Sequence, residues 1–517
     1  MRKIYFCLLL TGAVFQAGAQ SPEDALRISW NPQSGTARFM SIGGAMTGLG
    51  GEISAAHTNP AGMALYKTNE FVLSPGFNFL SNKAEYRGTA GAKGKQASGF
   101  NVGTSGLIIG GGTNRRSSSL RGGSLAFTAT RLADFNYNLS YKGYNNMSSG
   151  AERYAEEFSD SRLTIDNALN SKYISLVTRM ALYTYLIDTM TIGGINQVVA
   201  MPEFTTGLNQ ENTIESRGGI TEYAATAAFN IKDKFFLGGS IALPVVNYDR
   251  NQTYKETDAT NVNNNRFASY TYKEELESRG YGLNMKLGMI YRPVERIRLG
   301  LTIHTPSFYT ITDRMKGSLN TNTENYNGDA TITESAFTNG ASSIESKYNF
   351  NSPWKISGGF SYVFREVENV KRQRAFIAAD IDYVTYRSMK YSAVSEGDVL
   401  PEDEAYYDKV NNNIKNIYRN AINFRLGGEV KFNTIMVRLG GAFMGNPNKD
   451  KSELKSNRIM VSGGLGYRHK GIFIDLAYVH HMNKEVNFPY RLSDKANTFA
   501  PVKGTGGSAM LTFGVKF

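Results

Sequence analysis

About fourteen segments of alternating side-chain character, joined by connectors that are by turns short and long, constrain this chain more than any other feature. The segment 505–517 is the cleanest. Ala509, Leu511, Phe513, Val515 and Phe517 share one face, and Ser508, Met510, Thr512, Gly514 and Lys516 the other. A period of two is the signature of a strand with unlike faces. Connectors after even-numbered segments are tight, as at 231–234, 293–296, 431–434 and 469–471. Those after odd-numbered segments are mostly long and rich in Asn, Thr, Lys and Glu, as at 320–343 and 395–413. A soluble antiparallel sandwich and a transmembrane barrel both alternate. Only the barrel is built with short turns on one side and long loops on the other. An even strand count then puts both termini on the short-turn side.

The start of the chain fits export. Arg2 and Lys3 precede the apolar run from Ile4 to Val14, and Ala17-Gly18-Ala19 makes an A-x-A cleavage site, so residues 1–19 are read as a signal peptide. The single cysteine, Cys7, lies inside that run, which leaves the mature chain without disulfides or thiolate chemistry. Beyond Val14 no apolar run approaches the roughly 20 residues of a membrane helix. A mean hydropathy of −0.34 is compatible with strands that are apolar outward and polar inward. The net charge of +12 is dispersed, with no cluster suited to nucleic acid. It is read as suiting outer-membrane lipids and lipopolysaccharide-like surfaces.

Between the leader and the first strand lies Gly35–Tyr66, rich in Gly, Ala, Ser and Thr and ending in Asn59-Pro60-Ala61-Gly62. Small residues suit a segment enclosed on all sides, and Pro60 favours a turn. A small-residue run closing on Asn-Pro-Ala-Gly, a signal peptide before it, a barrel-like chain after it and a terminal Phe517 resemble the FadL-type outer-membrane transporters of hydrophobic compounds. The resemblance implies residues 20–68 as a hatch in the lumen and 69–517 as an all-β antiparallel transmembrane barrel of about fourteen strands. It also implies that Phe517 ends the strand read by the barrel-assembly machinery.

The connector 145–219 differs in kind, with helical patterns at 151–170 and 171–190. In the second, Tyr173, Leu176, Met180, Tyr183, Ile187 and Met190 recur at helical spacing. One reading packs this stripe against the base of the loop. The other makes Leu176, Met180, Tyr183 and Ile187 one wall of an apolar substrate groove, as the resemblance implies for extracellular loop helices.

In the third strand the alternation falters. An outward set of Leu125, Phe127, Ala129, Arg131, Ala133, Phe135, Tyr137, Leu139 and Tyr141 puts Arg131 toward lipid and Leu132 toward the lumen. Arginine at the bilayer midplane costs about 2–4 kcal/mol, which a bulge or a snorkelling position at the periplasmic headgroups avoids. Asp134, three residues on, is placed to pair with Arg131 at such a defect. The resemblance implies a kinked third strand, here over Arg131, Leu132, Ala133 and Asp134, that opens the wall for substrate.

No pattern for catalysis, for a cofactor or for a metal is found; the five histidines include no His-Glu-x-x-His. The function implied is passive, diffusion-driven uptake of hydrophobic small molecules such as long-chain fatty acids across the outer membrane. Three rivals stand beside it. One is a PorV-like barrel that holds exported proteins. Another is a receptor for haemin or a similar ligand, for which His480-His481 is the available pair. The third, an open porin, is disfavoured by the hatch-like stretch.

Overall fold

Fourteen antiparallel strands close on themselves. In the computed structural model they are β1 (Glu70–Leu73 and Pro75–Tyr86), β2 (Ala97–Val102 and Ser105–Gly112), β3 (Leu120–Asp134 and Tyr137–Asn145), β4 (Leu208–Ile231) and β5 (Phe235–Asp258). There follow β6 (Ser269–Val294), β7 (Ile297–His304 and Phe308–Asn322), β8 (Ile344–Asn351 and Lys355–Phe364), β9 (Ala375–Val384 and Lys390–Ala393) and β10 (Ala421–Phe432). The last four are β11 (Ile435–Met444), β12 (Asn457–His469), β13 (Ile472–Asn487) and β14 (Ala500–Lys516). Residues 21–517 are described apart from 31, 33, 92–93, 113–118, 261, 339–340, 365–373, 395–400 and 450–455. The expected signal peptide, 1–19, and most of the turns at 112–119 and 365–372 lie outside the described residues.

Closure runs through the ladder of β1 with β14, in which Phe71 faces Val515 and Phe77 faces Ala509. Phe517 extends it, exchanging backbone hydrogen bonds with Asn69 at 3.1 and 3.2 Å. The short turns use left-handed residues, Lys232 and Asp233 in one and Lys470 and Gly471 in another. Paired positive φ angles match the twist of the flanking strands, which is why two residues suffice there. Along β14, Met510 and Thr512 are buried inward while Leu511 and Phe513 are exposed outward. The same holds around the wall, so that Leu237, Ile241, Leu283, Leu301, Ile381, Phe424, Leu439 and Leu476 contribute to an outward apolar belt.

Several expected boundaries shift. β4 begins at Leu208, so the long loop is residues 146–207. β10 begins at Ala421, because a helix, Pro401–Ile417, occupies the start of the expected strand 414–432. Within the long loop the helices are Gly150–Ser161, Ile165–Asn170 and Leu176–Tyr183. The expected helix to residue 190 stops at a left-handed Tyr185 and gives way to a hairpin, Ile187–Ile192 with Ile195–Ala200. Gly193-Gly194, both with positive φ, makes its turn. Flanking Ile, Thr and Val outweigh the helical spacing there.

The N-terminal residues enter the barrel as a helix α1 (Pro22–Ser29), followed by α2 (Ala37–Ser41), α3 (Ala55–Thr58) and a 3-10 turn (Pro60–Leu65). From Thr36 to Ala64 almost every side chain is buried. Wall glycines make this contact possible. A Cβ at Gly300 of β7 would lie 2.0 Å from the Thr47 carbonyl oxygen, and one at Gly440 of β11 2.2 Å from the Ile42 carbonyl carbon. Gly238, Gly288, Gly359 and Gly427 meet Pro60, Asn59, Gly48 and Ile42 in the same way.

Gly300→Val sets a β-branched side chain where Thr47 packs, at an overpacking cost of about 1–3 kcal/mol. The expected product is a barrel that keeps its heat-modifiable mobility on gels and conducts ions more freely in planar bilayers. Gly358→Val is the control, since its added Cβ would meet only Ile381 at 3.6 Å. Equal conductance of the two variants would contradict the packing argument.

Candidate functional site

The lumen holds two cavities with α1 between them. The inner one, of about 210 Å³, lies against the buried N-terminal segment. Its apolar side includes Phe39, Met40, Leu132, Met444, Met460 and Val479. Its polar side gathers Glu222 of β4, Lys286 of β6, His304 of β7, Lys355 of β8, Asp382 of β9 and Arg425 of β10. Most of these charges are already satisfied. Lys286 pairs with Glu222, and Arg425 donates two bonds of 2.6 Å to Asp382. Lys355 makes no ion pair among the described residues, and its neighbour in the ladder is His304. The pocket is therefore amphipathic, and Lys355 at its polar end is attracted by Asp382 without a direct ion pair.

The upper cavity, about 520 Å³, opens among the long loops. Leu26, Arg27 and Trp30 of the α1 segment line it, whereas Ile28 and Ser29 line the inner cavity. The helix forms because Ser21 caps it, Pro22 stands at its first turn, and Glu23 and Asp24 favour its N-terminal end. Side chains of the wall and loops hold it. Tyr391 and Tyr418 donate to the carbonyls of Ser21 and Pro22, and Arg491 pairs with Glu23. Arg458 lies 4.2 Å over the Trp30 ring and donates to the Trp30 carbonyl at 2.7 Å. Burial alone would raise the Asp24 pKa, but Arg27 and Arg250 beside it hold the carboxyl below its ordinary value. Helix α1 is not among the elements expected from the sequence, although Ser-Pro-Glu-Asp is a helix-start pattern.

The residues singled out in the sequence fall in five places. Asn59 locks the luminal segment: its amide donates to the Thr47 carbonyl at 2.6 Å and the Met289 carbonyl at 3.3 Å, and its oxygen accepts from Ala61 N–H. Pro60, Ala61 and Gly62 are buried in the turn beyond it. In the loop helix, Leu176 borders the upper cavity, while Met180 and Ile187 are fully buried in packing. Tyr183 is exposed and meets the Phe337 ring edge-on. The stripe thus supports the loop base and brings only Leu176 to a cavity. Phe517 is exposed at the closing seam. His481 faces the upper cavity and contacts Ser508 at 2.9 Å, whereas adjacent His480 belongs to the opposite face of β13, so the two do not converge.

The fifth place is β3. Thr221 pairs with Arg131 and Ile220 with Ala133, so Leu132 is an extra residue in the ladder. A bulge re-aims the side chains beyond it. Ala133, Phe135, Leu139 and Tyr141 are consequently buried, not outward as the alternation predicts. Arg131 donates to the Gly218 carbonyl at 2.6 Å, and Asp134 accepts from Asn78 and Asn136, in place of the expected pair. The position of Arg131 also differs from the periplasmic alternative. It is level with Thr221, Val245 and Tyr281, at the loop side of the apolar belt.

On the β2 side of the bulge the wall is, among the described residues, not hydrogen-bonded through its backbone. The β2–β3 ladder ends at Ser105 with Ala129. Above it, among the described residues, Ala97–Val102 pairs with β1 and Tyr137–Asn145 with β4. Side chains bridge the slit: Thr130 to Thr104 at 3.1 Å, Asn78 to Asp134 at 2.8 Å and Asn82 to the Asn138 carbonyl at 2.9 Å.

Known proteins share this architecture. The fold is similar to that of a Pseudomonas aeruginosa FadL homologue, with a TM-score of 0.52 and 13% identity over 95% of this chain and 100% of that one. It is also similar to the P. putida toluene transporter TodX, at 0.50 and 13% over 94% and 99%. No curated protein matches the sequence. The family model described as outer membrane protein transport protein (OMPP1/FadL/TodX) matches residues 16–517. The chain therefore belongs to the OMPP1/FadL/TodX family of outer-membrane transporters of hydrophobic compounds, and it is not an enzyme.

Proposed function

We propose that this barrel takes up amphiphilic acids, long-chain fatty acids among them, by passive diffusion through the two cavities and out through the β3 slit. Lys355 carries the reading. A pocket for plain hydrocarbons needs no cation, and a structural lysine would be paired like Lys286. A lysine with no direct ion pair opposite an apolar wall suits a carboxylate head with its tail against Phe39, Met40 and Met460. Burial of the tail supplies affinity at roughly 25 cal/mol per Å². Substrate would gather first in the upper cavity, beside Leu176, and reach the inner one when α1 moves. Leu132 and Ile220 line the inner cavity next to the slit, which gives a short path to the wall. The buried segment 34–66 acts as the hatch that blocks the straight route.

Binding of a radiolabelled fatty acid to the purified barrel tests the head-group role. Lys355→Met should weaken it by about tenfold or more, the worth of a hydrogen bond to a charged group. Lys355→Arg should retain it, and binding of an uncharged hydrocarbon should not change. Unaltered acid binding by Lys355→Met would refute the assignment.

The exit is tested separately. Deleting Leu132 restores one-to-one pairing of β3 with β4. Fatty-acid binding should persist while uptake into cells falls several-fold. Normal uptake by the deletion variant would exclude the slit as the route.

A further inference from the structure

We propose that Arg425 is a positioning residue that ties the hatch to the head-group site: unseating the hatch draws Lys355 onto Asp382 and discharges the bound acid. This deepens the reading above and rests on the head-group role given there to Lys355.

Three neighbouring strands set the charged groups one above another on the luminal face. Asp380 and Asp382 stand on β9. Arg425 of β10 is directly opposite Asp380, and Lys355 of β8 is opposite Val384, two residues beyond Asp382. Asp382 therefore lies at a height between the two cations. Lys355, Asp382 and Arg425 line the inner cavity, whereas Asp380 does not.

The pairing departs from the rungs of the ladder. Arg425 gives two bonds of 2.6 Å to Asp382 and none to Asp380 across from it. Asp380 is satisfied by the hatch instead, its Oδ2 accepting the amides of Met46 and Thr47 at 2.8 and 2.9 Å. Arg425 Nη2 stands 3.7 Å from that same oxygen. All three side chains are buried. One arginine thus stands between two carboxylates, holding one while the hatch holds the other.

Without the hatch amides Asp380 is a buried carboxylate that must find a cation. Arg425 is its ion-pair partner among the described residues, and a shift of about 1 Å brings Nη2 to charge-assisted bonding distance. Asp382 then needs a cation in turn. Lys286 is held by Glu222, but Lys355 is already attracted by Asp382 without a direct pair. Once Lys355 turns to Asp382, a substrate carboxylate beside it loses its partner. The buried charges are satisfied in both arrangements, first with the hatch seated and an acid at Lys355, then with the hatch unseated and the acid gone. Two discrete arrangements that both sites bias are what coupling requires. By linkage, an acid at Lys355 favours the seated hatch by the same factor.

Binding of radiolabelled oleate to the purified barrel tests the coupling through residues outside the pocket. A Cβ at Gly300 meets the Thr47 carbonyl, so Gly300→Val displaces the turn that holds Asp380. It should weaken oleate binding about tenfold, within the usual range of coupling between sites. Asp380→Asn keeps an oxygen for the two amides but has no charge to draw Arg425 away. Alone it should bind oleate like the parent, and combined with Gly300→Val it should restore parental binding. Loss through structural damage would persist in the double variant. Binding of an uncharged hydrocarbon should be equal in all four proteins. Heat-modifiable mobility checks that each barrel is intact. If Asp380→Asn does not assemble, Gly300→Val against Gly358→Val decides, with oleate binding lost selectively only in the former. Unchanged oleate binding by Gly300→Val, parallel loss of the hydrocarbon, or failure of Asp380→Asn to restore binding would each overturn the coupling. Weakening by Lys355→Met without weakening by Gly300→Val would refute the coupling alone, whereas indifference to Lys355→Met would remove the head-group reading beneath it.

Discussion

Everything in this molecule depends on the seam where Glu70–Leu73 meets Phe513–Lys516. Inside a bilayer a backbone amide has no water to turn to, so an open sheet edge is excluded and the first and last strands must find each other. Closure at fourteen strands then creates a second problem. A barrel this wide is not filled by its own inward side chains. The chain fills it with residues taken from its own N-terminus. That arrangement is possible because the wall presents glycine at the points of closest approach, as at Gly300 and Gly440, where a methyl group would collide with the backbone of the segment inside.

The seated segment is held by charge as well as by fit. Arg38 reaches Glu429 on β10 at 3.2 Å, and Arg438 on β11, fully buried, joins Glu429 at 2.6 Å to Asp475 at 2.7 Å. Asp380 accepts the amides of Met46 and Thr47 at 2.8 and 2.9 Å. Buried pairs of this kind add little net stability, because desolvation offsets attraction. Their geometry is directional, however, and losing one partner strands the other charge. They specify one seated position more than they deepen it. That property would suit the hatch role proposed above.

How much of this was legible in the sequence depends on the range over which each signal acts. β14 and the short turns were legible because alternation and turn residues act within a few positions. The segment ending in Asn59-Pro60 was legible as something enclosed, since its smallness is local. Its partners were not: Gly427 and Gly440 read as ordinary strand glycines until the ladder sets them side by side. The inner pocket was invisible for the same reason. Lys286, Lys355 and Arg425 are far apart in the chain, and only closure brings them to one cavity. In β3 the irregularity at Arg131 was visible, but strict alternation beyond Leu132 misses the flip that one inserted residue causes. The stripe in the long loop misled because burial in a loop base and burial in a ligand groove demand the same side chains. A helix-start pattern at Ser21-Pro22-Glu23-Asp24 was available, and it marks the element that separates the two cavities.

The height of the β3 slit bears on how an acid could leave sideways at all. An ionised carboxylate carried into hydrocarbon faces a desolvation cost that tail burial does not offset. Near the bilayer midplane an opening would therefore pass only neutral molecules. The slit begins above Ala129, and its flanking residues Arg131, Thr221 and Val245 form the last rung before polar residues take over the outer face. At that level, on the route proposed above, a tail would turn into the apolar belt while its head would stay beside the amide of Asn78, which reaches across the gap to Asp134. The polar seam that makes the slit a poor route for a bare hydrocarbon is then what makes it a workable one for an amphiphile. The same reasoning explains why the bulge falls where it does. One extra residue at Leu132 follows Arg131 on the last rung of the belt and turns Phe135 inward against Tyr248, just above the point where the ladder with β2 ends.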